Sequence, residues 1–391
     1  MFKRVFLVVI ESLGLGSTPD AVNFDDKGAN TLLHLLENKN YNLNIFEHLG
    51  LTKLVGLDVN KTYGYHMRSL IKTNDKSDIA GYHEMMGIIN EDETDNYKNG
   101  IPFELITKVK KETGLDVIGN VRTSELAALN EFGEMHIKTK SLIMFTNYDD
   151  VLEIITHEKI IPFDILVKIG EKVRELCNEK PYRINKICVR TFTGKLANFQ
   201  LTNDIEYFVM DSEYNALDLL TNAMIPTVLI GKVSALFNNY PASTNIKTNT
   251  NLETLMKLID FSKANFKGLC FASLSDLDIY GHNRDSSDYL KGLEEINYYM
   301  PIFLKNLKKS DLLIITSSHG NDPTFKGYNH TREYVPIILF STLFKNSKIL
   351  NDRATLADIS ATILDNFGID NDINNANSIL SDIVDIEDKK D

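Results

Sequence analysis

The chain has 391 residues, 43% hydrophobic and 25% charged, the proportions of an ordinary globular protein long enough for two domains and a large core. Acidic residues outnumber basic ones by 54 to 42, a formal charge of −12; this argues against nucleic acid as the main partner, because a phosphate backbone needs a basic face. Cys177, Cys188 and Cys270 are too few and too scattered for a disulfide framework or a zinc cage, and no apolar run approaches the ~20 residues of a membrane span, so a cytoplasmic protein without membrane contacts is expected.

The N-terminus, MFKRVFLVVIESLGLG, is basic and then apolar in the manner of a signal peptide. Its apolar run is short, ends in Glu11 and lacks a small-residue cleavage site, so Val5–Ile10 is predicted to be a first buried strand. The middle, 98–212, reads as an inserted α/β domain. Asn99-Gly100-Ile101-Pro102 feeds a predicted helix in PFELITKVKKETG. Candidate strands follow in DVIGNV, SLIMFTN and KICVRTF, with a helix in IPFDILVKIGEKVRELC between the last two. Further unbroken apolar runs are Thr227–Ile230, Leu269–Ala272, Leu312–Thr316 and Ile337–Phe340, which suit strands of a parallel sheet buried on both faces. Leu356, Ile359, Ile363 and Phe367 form one stripe of a predicted helix over 355–367, with Gly368 able to end it. Charged Ile386–Asp391 is expected to fray. The expected fold class is α/β: a mainly parallel sheet covered by helices, built from 1–97 and 213–391, with 98–212 inserted.

Polar residues follow several of these strands, where open α/β sheets bind ligands. Glu11 follows the first, Asp276 and Asp278 follow LCFASL, and Ser317, Ser318 and His319 follow LLIIT. Asp278 and His282, four residues apart on a predicted loop, can chelate one divalent ion, with Gly281 allowing the chain to turn between them. His319 precedes a Gly-Asn-Asp-Pro turn, and His330 comes eleven residues later. Three of the nine histidines thus gather beside these turns. Imidazole with carboxylate suits zinc, manganese or iron better than magnesium alone.

Several stretches are distinctive together: ESLGLGSTPDA at 11–21, GYHEMMG at 81–87, THEKIIPFD at 156–164, IGKVS at 230–234, GHNRD at 281–285, HGNDP at 319–323 and HTREYVP at 330–336. Through them the sequence resembles the phosphopentomutase family of the alkaline phosphatase superfamily along nearly its whole length. The resemblance implies an alkaline-phosphatase-like core with an inserted α/β cap, and one or two divalent ions, usually Mn2+. The implied reaction interconverts (deoxy)ribose 1-phosphate and 5-phosphate through a phosphorylated threonine of the enzyme, so the implied partner is a small phosphorylated sugar. Asp149 would contact the sugar hydroxyls, and Arg190 and Lys232 would hold phosphate, a guanidinium being suited to bidentate grip.

Matched position by position, the chain departs from the family at its centre. Glu11 stands for an Asp ligand, Ser318 for the Asp of an Asp-His pair, and Asp278 lies one residue closer to His282 than the family spacing. In Lys76-Ser77-Asp78-Ile79-Ala80-Gly81-Tyr82-His83-Glu84, Asp78 stands where the family has its phosphorylated threonine, with Ser77 the neighbouring hydroxyl. The candidate catalytic residues are therefore Ser77 and Asp78. The candidate ligands are Glu11, Asp78, Asp278, His282, Ser318, His319 and His330, three carboxylates and three imidazoles among them. One ion is expected on Asp278, His282 and His330, and a weaker second site on Glu11, Asp78 and His319. In the inserted domain a family arginine is replaced near Asp204, and the cap loop reads Thr123-Ser124-Glu125. Three outcomes follow: a mutase with a remodelled site, a pseudoenzyme that binds without turnover, or a metal-dependent hydrolase or transferase with another substrate.

Overall fold

The computed structural model describes residues 1–391 apart from 38–39, 60, 91–96, 98, 149, 179, 197, 211–213, 238–243, 374–375 and 384–391. The chain divides into two compact units, 1–92 with 213–391, and 93–212.

Strands in chain order are β1 (Arg4–Ile10), β2 (Gly64–Ser69), β3 (Val117–Arg122), β4 (Leu142–Thr146), β5 (Val151–His157), β6 (Lys186–Thr193) and β7 (Gln200–Val209). They continue with β8 (Thr227–Ile230), β9 (Thr244–Ile246), β10 (Gly268–Leu274), β11 (Asp311–Thr316), β12 (Val335–Phe340) and β13 (Ser347–Ile349). The larger unit carries an eight-stranded sheet in the order β13-β2-β12-β11-β1-β10-β8-β9. Every residue of β1, β10 and β11 is buried, which is why these strands read as unbroken apolar runs. Phe6, Val8 and Ile10 on one face of β1 pack with Leu255 and Leu258 of the helix Asn251–Lys263 and with Leu293, Ile296, Met300 and Phe303 of the helix Ser286–Lys305. At the other end of β1, Arg4 sits opposite Asp311 of β11 and donates Nε–H to its Oδ1 at 2.8 Å, so the one charged pair inside this run is matched.

The predicted parallel arrangement is corrected at one strand. β12 runs antiparallel to both β11 and β2, while β1, β8, β9, β10 and β11 pair in parallel. An apolar run records burial on two faces and carries no sign of direction. The last long helix spans Asp358–Phe367, three residues shorter at its start than the stripe suggests, and ends on Gly368 at φ 71°.

The unit 93–212 holds a five-stranded sheet, β3-β4-β5-β6-β7, with alternating faces. Leu142, Met144, Leu152, Ile154, Ile187 and Val189 pack with Leu105 and Val109 of the helix Phe103–Thr113 and with Leu166, Ile169 and Val173 of the helix Phe163–Leu176. Ile143, Phe145, Ile155 and Phe192 face Ala128 and Leu129 of the helix Glu125–Thr139. The sequence reading lacked β5, β7 and this last helix. The helix Phe163–Leu176 lies between β4 and β6 as predicted, with β5 intervening before it.

Candidate metal centre

Four neighbouring strands, in the order β11-β1-β10-β8, deliver side chains at their carboxyl ends. Glu11 follows β1, Lys232 follows β8 by one glycine, and Ser318 and His319 follow β11. Asp278 and His282 follow β10, on the helix Asp276–His282. The predicted loop here is corrected to a helix, in which residues four apart share a face. Gly281 serves differently from its predicted turn. A Cβ there would lie 2.6 Å from Asn321 Cγ, so glycine lets the Asn321 side chain close on the helix, where its Nδ2 donates to Asp278 Oδ1 at 3.0 Å.

The three predicted histidines converge on Asp278. Its Oδ1 is 3.3 Å from His330 Nε2 and 3.9 Å from His319 Nε2, and its Oδ2 is 3.5 Å from His282 Nε2. Each ring spends its other nitrogen on a backbone carbonyl: His282 Nδ1 to Tyr328 at 2.7 Å, His330 Nδ1 to Lys76 at 2.9 Å, and His319 Nδ1 to Gly320 at 3.1 Å. A carbonyl only accepts, so all three Nδ1 atoms carry a proton and Nε2 is the nitrogen each ring turns toward Asp278. His282 Nε2 and His330 Nε2 face each other at 3.0 Å, a hydrogen-bond distance at which a bound cation can take the place of a shared proton. Two ligand nitrogens ~2.1 Å from one ion and at right angles stand ~3.0 Å apart. His319 and His330 stack with ring centroids 3.7 Å apart, and buried His319 Nε2 has no hydrogen-bond partner among the described residues. Burial, with His330 alongside, pushes His319 down to about 3, so it stays neutral, as a ligand must. Burial opposes the charge on Asp278, yet His330 and His282 beside it hold its carboxyl well below the usual range. These residues fit a divalent cation.

Glu11 and Asp78 form a second cluster beside the first. Asp78 opens the helix Asp78–Met85, and Ser77 is its N-cap, with Oγ accepting from Ala80 N–H at 3.4 Å. Lys232, expected to hold phosphate, instead reaches Glu11 Oε1 at 2.9 Å and Asp78 Oδ2 at 2.8 Å. The expected second set of Glu11, Asp78 and His319 is thus divided: His319 turns to Asp278, and an ammonium joins the two carboxylates. Burial pushes Glu11 up to about 7 against the pull of Lys232, with Asp278 and Asp78 adding to the rise. Ser318 Oγ is buried with no hydrogen-bond partner among the described residues.

Two positioning residues escaped the sequence reading although both lie inside quoted motifs. Arg284 donates to Gly281, Asp322 and Asn329 carbonyls and to Asn321 Oδ1 at 2.8–3.0 Å, tying the Asp278 helix to the His319–His330 loop. Buried Glu333 accepts from Thr31 and Thr331 hydroxyls and the Gly16 amide, bracing the loop after β1. In the other unit, Arg190 on β6 bonds the Thr202 carbonyl at 2.8 Å and Glu125 at 3.1 Å, and Ser124 caps the helix that Glu125 begins. Asp149 lies outside the described residues. Glu125, Glu153 and Cys188 also gather in this unit, but burial raises the Cys188 thiol far above its usual range, which disfavours the thiolate.

A family model described as the metalloenzyme superfamily matches residues 3–371. The chain belongs to this superfamily. Among solved structures, the PH0037 protein from Pyrococcus horikoshii shares 11% identity at TM-score 0.50, covering 95% of this chain and 99% of that one. A phosphoglycerate mutase from Leishmania mexicana, solved at low cobalt concentration, shares 11% identity at TM-score 0.48, covering 97% of both chains. An alkaline phosphatase from the Antarctic bacterium TAB5 shares 12% at TM-score 0.36, covering 95% and 99%. The metalloenzyme core here is α/β, with the Asp-His cluster at the carboxyl ends of its central strands.

Proposed function

We propose that this metalloenzyme transfers the phosphoryl group of a small phosphorylated sugar in the manner of a phosphopentomutase, with Ser77 as the accepting hydroxyl and Mn2+ as the cation. The observation that carries this reading is the hydrogen bond from His330 Nδ1 to the Lys76 carbonyl, 2.9 Å long, which ties the residue before Ser77 to the imidazole cluster. Ser77 also stands at the start of an eight-residue helix, where the amide dipoles favour an anion. Asp78 opposes that effect, and the Lys232 ammonium against it offsets the opposition. Asp278, His282, His319 and His330 would hold the cation, whose charge would stabilise the phosphoryl oxygens during in-line displacement.

In the step, a bond forms between Ser77 Oγ and phosphorus while the bond from phosphorus to the sugar oxygen breaks. The hydroxyl proton ends on the released sugar oxygen. Reversal onto another hydroxyl of the same sugar completes the exchange between its 1- and 5-positions. Asp149 and Arg190 are the proposed sugar and phosphate contacts.

The experiment incubates the manganese-loaded protein with a pentose bisphosphate and locates phosphate by peptide mass spectrometry. Phosphate on the Ser77 peptide, absent from Ser77→Ala, is expected together with pentose 1-phosphate to 5-phosphate exchange in a coupled assay. A protein that binds the sugar phosphate but takes no phosphate contradicts this reading. It would favour binding without turnover, for which the buried Asp78 carboxylate beside Ser77 already speaks, since it repels an approaching phosphate.

A further inference from the structure

Lys232 has a further role toward the metal centre, which rests on the metal-binding part of the proposed function. Lys232 comes off the carboxyl end of β8, two strands from Glu11. Gly231 before it has φ 87°, and a Cβ there would meet the Ser273 carbonyl oxygen at 2.6 Å, so the chain turns tightly enough to send the lysine back over the sheet edge. Asp78 arrives from another direction. Its helix lies against the Ser318 backbone, where a Cβ on Gly81 would be 2.0 Å from the carbonyl oxygen. Lys232 Nζ ends 2.8 Å from Asp78 Oδ2, 2.9 Å from Glu11 Oε1 and 3.1 Å from Glu11 Oε2. Two buried carboxylates from separate elements thus share one ammonium at contact distance. That is the place and the charge demand of a cation bound between them.

We infer that the centre is mononuclear: Lys232 takes the position of a second metal ion, bridging Glu11 and Asp78 as a built-in cation. Removing one partner of a buried ion set leaves uncompensated charge, so a neutral side chain at 232 would expose a two-carboxylate site that recruits a metal instead. The same logic separates the roles of the acids. Asp278 serves the resident ion, while Glu11 and Asp78 serve the lysine.

The test is metal stoichiometry with manganese alone. Wild type, Lys232→Met and Glu11→Gln are dialysed to equilibrium against Mn2+, quantified by elemental analysis and examined by electron paramagnetic resonance. One ion per chain with an uncoupled manganese spectrum is expected in the wild type, and two ions with exchange coupling in Lys232→Met, since paired sites stand ~3.5–4 Å apart. Glu11→Gln is expected to keep its single ion with affinity within about threefold of wild type, well inside the 10–100-fold that loss of even a supporting group costs. Two coupled ions in the wild type would overturn the inference. So would a single ion in a folded Lys232→Met, or loss of the ion from Glu11→Gln. If Lys232→Met does not fold by circular dichroism, the wild-type count and Glu11→Gln still decide. No ion in any protein would overturn the metal reading itself, a different failure from a wrong count.

Discussion

Each histidine of the centre is specified by what its remote nitrogen touches. A backbone carbonyl on Nδ1 orients each ring, so Nε2 is the nitrogen left to face an ion. His66 shows the opposite use of the residue. It lies buried on β2 against Gly50, and neither ring nitrogen has a hydrogen-bond partner among the described residues. Burial, assisted by Lys53, lowers it from 6.5 to about 4. The native ring is therefore neutral where an unfolded chain would already be protonated. Between these values the unfolded state binds more protons, so stability contributed by neutral His66 is complete above pH 6.5 and declines as pH falls toward 4. Urea midpoints measured across that window are expected to fall more steeply for the wild type than for His66→Phe. Parallel slopes would contradict this account of the ring.

At the scale of elements, the helix Asp78–Met85 depends on a missing side chain. Gly81 faces the Ser318 carbonyl so closely that alanine would force the helix away from the loop after β11. Gly81→Ala is expected to cost about 1–3 kcal/mol by overpacking, read as a lowered urea midpoint, and to draw Asp78 off Lys232. An unchanged midpoint would show that the helix can shift freely. Element legibility followed burial. β1, β10 and β11, buried along their whole length and apolar through their centres, were plain in the sequence, whereas β2 carries His66 and Arg68 and β7 is polar at half its positions, so neither stood out. The helix Asp276–His282 hid because it is seven residues long and begins with acids that read equally well as a loop. Its consequence is chemical. Asp278 and His282 share a helical face, which explains how a spacing of four brings both to one point.

Over the whole molecule, residues from six separate stretches meet at one sheet edge: 11, 77–78, 232, 278–282, 318–319 and 330. That convergence was legible as motifs following strands, and the resemblance ordered them. The partition within it was not. Nothing in the spacing indicates that Lys232 would face Glu11 and Asp78, because this depends on where β8 lies in the sheet, two places from β1. Among the described residues no helix is long and apolar enough to cross a membrane, as the composition suggested. The centre on Asp278 is the claim on which the remaining chemistry depends. Its most direct test compares wild type with Asp278→Asn after reconstitution with manganese and removal of free ion, measuring bound metal per chain. Retention of a bound ion by the wild type and its loss from a folded Asp278→Asn is the predicted result. A wild type that holds no metal, or an Asp278→Asn that binds as well as wild type, would contradict it.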